Sequence, residues 1–344
     1  MAEPVDPSAD PPAVGHSQSA CVPPQFPETV TRLLPRCCFP PPGTAVACAV
    51  SGGADSTALM VLALAAGCSV EAIHVDHGLR PGSADEAAVV ARHAAMLGVS
   101  FRSLSVDVAE GPNLEARARA ARYAALPDRV LTGHTADDQA ETVLINLLRG
   151  AVGGLGAMRP GTQRPLLALR RHETEAVCAA IGLEVVSDPS NADPRHLRNR
   201  VRHELLPLME ALSQRDPVPV LVRQADLARA DSDLLDDLAA DLDPTDARAL
   251  AELPPALARR AVRRWLDTGY PPDAATVERV LAVARGDALG TDVGGGRRVS
   301  RHRQRLVLAV GEGAGDGHGE GTAASTDGGE EPSDFGPHRG GATE

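Results

Sequence analysis

The sequence predicts an α/β protein: a parallel sheet with helices on both faces, followed by a smaller, mainly helical C-terminal domain. Three observations lead there. Between residues 44 and 148, short apolar runs alternate with longer segments of helical pattern, the signature of βαβ units. The polar motifs fall directly after those runs, where open parallel sheets bind their ligands. The chain has 344 residues, which suits two domains plus tails better than one core, and a break at Ser213–Pro219 marks the boundary.

Taken in order, residues 1–27 are rich in Pro, Ser and Ala without periodicity and are expected to be a disordered tail. Ala45–Val50 reads as a buried strand, Ser56–Ala66 as a helix, Val70–Val75 as a second strand and Asp85–Leu97 as a second helix. Val99–Val106 alternates like a strand, Leu114–Leu126 is an Ala- and Arg-rich helix, Arg129–Leu131 a short strand, and Ala136–Leu148 a helix. The glycine-rich stretch 150–156 leads into an arginine-rich helical section that ends near Ala211. Beyond the break, Val220–Leu238 and Ala256–Leu266 read as helices and Arg297–Val310 as a hairpin. The expected division is a catalytic domain with a helical extension at 28–215, a C-terminal domain at 216–310, and an acidic, Gly-rich tail at 311–344.

Composition removes several function classes. All 34 basic residues are arginine, so there is no Walker A lysine, no Schiff-base lysine and no pyridoxal anchor. A phosphate grip must come from backbone N–H groups, hydroxyls, arginines or a metal. The net charge of −12 argues against nucleic acid only superficially, because residues 311–344 alone carry −7. Six cysteines without C-x-x-C spacing suit reduced thiols. The longest apolar run, Ala58–Cys68, is about half a membrane span, and no basic, apolar leader opens the chain. A cytoplasmic protein with no membrane partner is expected.

The strand Ala45–Val50 runs straight into Ser51-Gly52-Gly53-Ala54-Asp55-Ser56 and then a helix. Glycines let the backbone approach an anion closely, the helix start adds partial positive charge, and both serines can donate. Asp55 would repel phosphate by itself; it makes sense with Mg²⁺ between it and a nucleotide. An isolated Ser-Gly-Gly is an ordinary capped turn; six such residues between strand and helix make the phosphate reading the better one.

A second constellation, His134 with Asp137, Asp138 and Glu141, opens the helix after the fourth apolar run. Glu141 lies four residues after Asp137 and three after Asp138, hence on one helix face with both. Clustered carboxylates need a cation among them, either Mg²⁺ or a substrate ammonium. Asp137 and Asp138 also complement the helix dipole, which accounts less well for His134 and Glu141. Asp76 and His77 follow the second strand and could reach the nucleotide, although by itself this segment reads as a strand followed by a turn and assigns them no role.

The stretch 51–56 resembles the SGGxDS loop of the N-type ATP pyrophosphatases, or PP-loop superfamily, whose members share a flavodoxin-like (adenine nucleotide alpha hydrolase-like) sheet and split ATP between the α and β phosphates. VDHGLR at 75–80, NLEARARAARY at 113–123, GHTADDQAETVLINLLRG at 133–150, GLGAM at 154–158, RPLL at 164–167, SDPSN at 187–191 and RNRVRHELLP at 198–207 together resemble the bacterial tRNA(Ile)-lysidine synthetase family. The resemblance is strong over 45–210 and weaker over 220–310. It implies a ligase that adenylates the wobble cytidine of the CAU anticodon of tRNA(Ile) and lets free L-lysine displace AMP. It further implies that Ser51, Gly52, Gly53, Ala54, Asp55 and Ser56 hold ATP with help from Asp76, His77 and Arg198. Asp55 and Asp137 would hold Mg²⁺. Asp138 and Glu141 would hold the lysine ammonium or accept its proton, and His134 would lie against the phosphates or the activated base. An oligomer is compatible with all of this.

Three arginine clusters, at 195–202, 259–264 and 297–305, then read as RNA contacts, although any one of them alone is more commonly a solvated face. Two rival readings remain. A PP-loop tRNA thiolase of the 2-thiocytidine type would need a reactive cysteine pair or a cluster-binding C-x-x-C, whereas Cys37 and Cys38 are adjacent and precede the fold and Cys178 stands alone in a helix. A non-catalytic ATP- and RNA-binding protein would have no use for the acid set.

Overall fold

A computed structural model describes residues 26–76, 83–107, 114–150, 154–186, 193–269 and 271–310. The expected tails, apart from Phe26 and Pro27, lie outside these residues. So do His77, the rest of the VDHGLR segment after Asp76, and the SDPSN segment.

The first unit starts with α1 (Glu28–Leu33) and a 3-10 turn at Leu34–Arg36. It continues through β1 (Ala45–Ala49), α2 (Ala54–Ala65), β2 (Ser69–Asp76), α3 (Ser83–Leu97), β3 (Ser100–Ser105), α4 (Leu114–Ala125), α5 (Ala136–Leu148) and α6 (Arg171–Ile181). Strand order is β1-β2-β3, all parallel, with Ala45 opposite Ser69 and Glu71 opposite Ser100. The alternating pattern of each strand fixes which face each side chain meets. Val46, Cys48, Val50, Val70 and Ala72 join α2 and α6 in the main core. Ala47, Ala49, Ile73 and Val75 meet Leu126 and Val130 on the other face. α2 is apolar nearly all round, and residues 57–63 are all buried, as suits a helix between the sheet and another helix.

The expected strand at Arg129–Leu131 shrinks to a single parallel bridge, Cys48 to Leu131. Leu131 donates its N–H to Ala47 O and accepts from Ala49 N–H, after which the chain turns toward Thr132 and the head of α5. Thr132 already gives its N–H to Gln163 O instead of to β1, so the ladder stops at Leu131.

The remaining helical section packs on α5. α7 (Leu197–Arg200), a π-helical turn at Val201–Leu205 and α8 (Leu206–Ser213) form one continuous run. The π turn has a local cause. Pro207 has no N–H for the carbonyl four residues back, and the preceding Leu206 N–H bonds Val201 O, five residues back. Val201 and Leu206 are buried against Ala136, Ala140 and Leu144 of α5. Gln139 of α5 bonds both the carbonyl and the N–H of Met158, which fastens the GLGAM segment to the helix.

The chain's two compact units divide between Leu234 and Leu235, inside α9 (Val218–Ala240). The break read at Ser213–Pro219 coincides with the start of that helix. The second unit has α10 (Ala247–Glu252), α11 (Pro255–Leu266) and α12 (Ala274–Arg285), then an antiparallel sheet of β4 (Gly290–Gly294), β5 (Arg297–His302) and β6 (Arg305–Val310). The expected hairpin is β5–β6. Its third strand, β4, was hidden from sequence by a glycine-rich composition that strands ordinarily avoid. Leu250, Val262, Leu266, Val280, Leu281, Val299 and Leu306 form a core of the unit's own. Among the described residues no helix is long and apolar enough to cross a membrane.

Candidate active site

A cavity of about 500 Å³ opens at the carboxyl ends of β1 and β2. Its walls include Ser51, Gly53, Ala54, Asp55 and Ser56 from the loop and the head of α2, with Thr132, Gly133 and His134 from the segment before α5. Ala49, Ile73, Val75 and Leu126 give an apolar side. The loop is shaped before any ligand arrives. Ser56 Oγ accepts the Ser51 N–H at 3.1 Å and lies 3.1 Å from Ser51 Oγ. Gly52 has φ +88°, and a Cβ there would come within 2.9 Å of Val186 Cγ2. Gly133 presses against the same turn: a Cβ on it would lie 2.6 Å from the backbone oxygen of Asp55. Only glycine permits these two approaches. His74, buried beneath the loop, places Nδ1 3.0 Å from Val50 O and ties the end of β1 to β2.

The four carboxylates singled out by sequence converge, and arginines converge with them. Asp138 Oδ2 accepts from the Thr135 N–H at 2.9 Å and thereby caps α5. Asp137 accepts from Arg170 Nε and Nη2 at 3.1 and 3.0 Å and from the Arg171 N–H at 2.8 Å. Glu141, fully buried, accepts from Arg198 Nε at 2.7 Å and from Arg202 Nε and Nη2 at 2.7 and 3.1 Å. Asp138 Oδ1 accepts from Arg198 Nη2 at 3.0 Å. Asp55 accepts from Thr174 Oγ1 and lies 3.5 Å from Arg171 Nε. The cations among the acids are thus guanidiniums, a third option beside the two the sequence offered.

Electrostatics follow burial and pairing. Burial pushes the Asp55 carboxyl up to about 6, against the Thr174 hydrogen bond, and neighbouring Asp138 adds to the rise. Burial also opposes ionisation of Asp137, but Arg170 and the Arg171 N–H outweigh it and hold this carboxyl below its usual value. For Asp138 burial is outweighed by Arg198 and Arg171, with the same direction. Burial pushes the Cys37, Cys48 and Cys178 thiols up to about 12.

Comparison with known proteins now bears on this arrangement. A family model described as a PP-loop domain matches residues 27–209, and one described as the TilS substrate binding domain matches 246–307. The tRNA(Ile)-lysidine synthase of Nocardia farcinica is 43% identical over 297 residues, covering 78% of this chain and 93% of that one. The chain belongs to the tRNA(Ile)-lysidine synthase family. Its relatives from Rhodococcus erythropolis and Thermobifida fusca, also named tRNA(Ile)-lysidine synthase, are 42% and 40% identical, each over 78% of this chain and 90% and 93% of their own. The α/β reading is that of the PP-loop domain, and the smaller C-terminal unit contains the TilS segment.

In this member of the tRNA(Ile)-lysidine synthase family, Asp55 and His134 line the cavity, whereas Asp137, Asp138, Glu141, Asp76 and Arg198 do not. The cavity instead meets Arg171 and Arg202, with the acids behind them. Arg198, expected to touch ATP or RNA, turns to Glu141 and Asp138. His134 Nδ1 lies 2.9 Å from Thr132 Oγ1. Asp76 ends β2, where its carbonyl accepts the Val106 N–H.

Sequence reasoning missed Arg170, Arg171 and Thr174. All three sit at the N-terminus of α6, and Glu173 fixes that end by accepting the Arg170 N–H at 2.8 Å and pairing with Arg36. The available signal was the position of this arginine pair just after RPLL, part of the family resemblance, but its partners lie more than thirty residues away in the chain. Among the described residues no cluster of three or more His, Cys, Asp and Glu forms a metal-ligating group.

Proposed function

We propose that the protein makes lysidine. It adenylates the wobble cytidine of a CAU-anticodon tRNA(Ile) with ATP, releases pyrophosphate, and lets the ε-amine of free lysine displace AMP. The observation that carries this reading is the preshaped Ser51–Ser56 turn opening, with Asp55 and Arg171 in its wall, into a cavity at the strand ends of a PP-loop domain.

The residues divide the work as follows. Backbone N–H groups of 52–56 and the start of α2 receive the polyphosphate, with Ser51 and Ser56 as donors. The apolar side made by Ala49, Ile73, Val75 and Leu126 suits the adenine. Arg171 and Arg202 face the phosphates and stabilise charge that develops there. A divalent cation would be held at Asp55, whose carboxylate lines the cavity with Arg171 Nε at 3.5 Å; bound Mg²⁺ would neutralise charge on the reacting phosphoryl group. Asp137, with its oxygens engaged by Arg170 and Arg171, is the less available of the expected pair. Asp138 and Glu141 hold the lysine ammonium or accept its proton. The tRNA is expected to engage the C-terminal unit.

The thiolase reading is disfavoured by the match to the TilS substrate binding domain and by the cysteines themselves, since Cys48 and Cys178 are buried and Cys37 and Cys38 are adjacent residues that precede β1. The test is incubation with ATP, labelled lysine and total tRNA, followed by nucleoside analysis. Label in a modified cytidine, with one AMP and one pyrophosphate released per event, is expected. Release of pyrophosphate without lysine incorporation would contradict the proposal.

A further inference from the structure

We propose that Arg171 is a gate shared by two substrates: it leaves Asp138 and Glu141 for the phosphates of ATP, and so makes lysine binding depend on bound nucleotide. The inference rests on the assignment of Asp138 and Glu141 to the lysine ammonium.

The carboxylates have two kinds of partner. Arg198, in the helical run after Leu197, holds Glu141 at 2.7 Å and Asp138 at 3.0 Å, and Arg202 of the same run holds Glu141 at 2.7 and 3.1 Å. Arg171 is spread over three carboxylates and close to none. It stands 3.5 Å from Asp55, 3.3 Å from Asp138 Oδ1, and 3.4 and 3.5 Å from Glu141 Oε1. Such contacts lie at the edge of hydrogen-bond geometry. Its backbone, by contrast, is anchored as the first residue of α6 with its N–H on Asp137. A fixed base with a loosely held guanidinium is built to swing.

Charge balance gives the swing its consequence. Asp55, Asp138 and Glu141 face Arg171, Arg198 and Arg202, three against three, while Asp137 and Asp216 share Arg170. An ammonium entering this neutral cluster would adjoin Arg171, a like charge in a partly desolvated site. Arg171 also lines the cavity, and a polyphosphate there offers the bidentate acceptor that the carboxylates deny it. Once Arg171 turns to the phosphates, the cluster has an excess carboxylate, and a lysine ammonium replaces the departed cation. Linkage makes the effect reciprocal, each ligand tightening the other. Lysine then arrives only where ATP is in place.

The test is calorimetric titration of lysine into the full chain with and without α,β-methylene ATP, a nucleotide that cannot be cleaved between those phosphates. In the wild type the analogue should tighten lysine binding about tenfold or more. Arg171→Gln should bind lysine without nucleotide as tightly as the wild type does with it, and the analogue should add less than about twofold. Full coupling retained in Arg171→Gln would overturn the gate. So would the absence of any effect of the analogue in the wild type, whatever the variant does. Asp138→Asn separates the two levels: undiminished lysine binding there places the ammonium elsewhere and removes the underlying assignment too.

Discussion

Asp55 is held by Thr174 in a setting that raises its pKa to about 6. A carboxyl whose folded pKa exceeds its unfolded one favours the folded state only while protonated. That contribution is complete below the unfolded value near 3.8 and is lost as pH rises through about 6. Ionised Asp55 therefore costs the ligand-free protein stability at neutral pH. Asp55→Asn should raise its stability at pH 7 by on the order of 1–3 kcal/mol, with the advantage shrinking toward pH 4, while nucleotide cleavage is abolished. Thermal melts across this range check the first half and pyrophosphate release the second; a less stable variant at pH 7 would refute the burial argument. Asp55 was legible in the sequence because its motif is local. Arg171 and Thr174 were not, because their meaning comes from contacts that only the folded chain creates.

At the scale of elements, periodicity revealed β1, β2, β3 and the helices beside them, since burial on two sheet faces leaves a strong apolar pattern. Where structure depends on distant partners, the pattern was mute. The residues at 129–131 have strand composition yet make one bridge, and β4 pairs with β5 despite its glycines. The contact between Gly133 and the Asp55 backbone is likewise invisible in sequence, though both glycine motifs were readable separately. Gly133→Ala should push the phosphate loop away from the head of α5, lowering the rate of pyrophosphate release more than about tenfold. Secondary structure should be retained by circular dichroism. Wild-type turnover in this variant would mean that the approach is not needed. Glu141→Gln tests α5 itself. Leaving Arg198 and Arg202 over a neutral buried amide should cost about 3 kcal/mol or more in urea unfolding, and a loss under about 1 kcal/mol would contradict the pairing.

For the whole molecule, net charge concealed more than it revealed. The acidic tail dominates the total, and the arginine clusters that suggested RNA prove largely engaged. Arg195 pairs with Asp193, Arg200 with Glu204, Arg259 with Glu278, Arg260 with Asp236 and Arg305 with Asp243. Sequence shows where charge is; only the fold shows which charges are already balanced. Arg303, in the β5–β6 turn with φ 45°, is exposed and makes no ion pair among the described residues. Arg303→Glu should weaken tRNA binding and reduce the salt slope by about one, measured by filter binding at several salt concentrations. An unchanged slope would move the RNA surface elsewhere. The most direct test of the whole account is a crystal structure with α,β-methylene ATP. It should place the phosphates on the N–H groups of residues 52–56, with the Arg171 guanidinium turned toward them. Nucleotide bound away from that turn, with Arg171 still among the carboxylates, would contradict it.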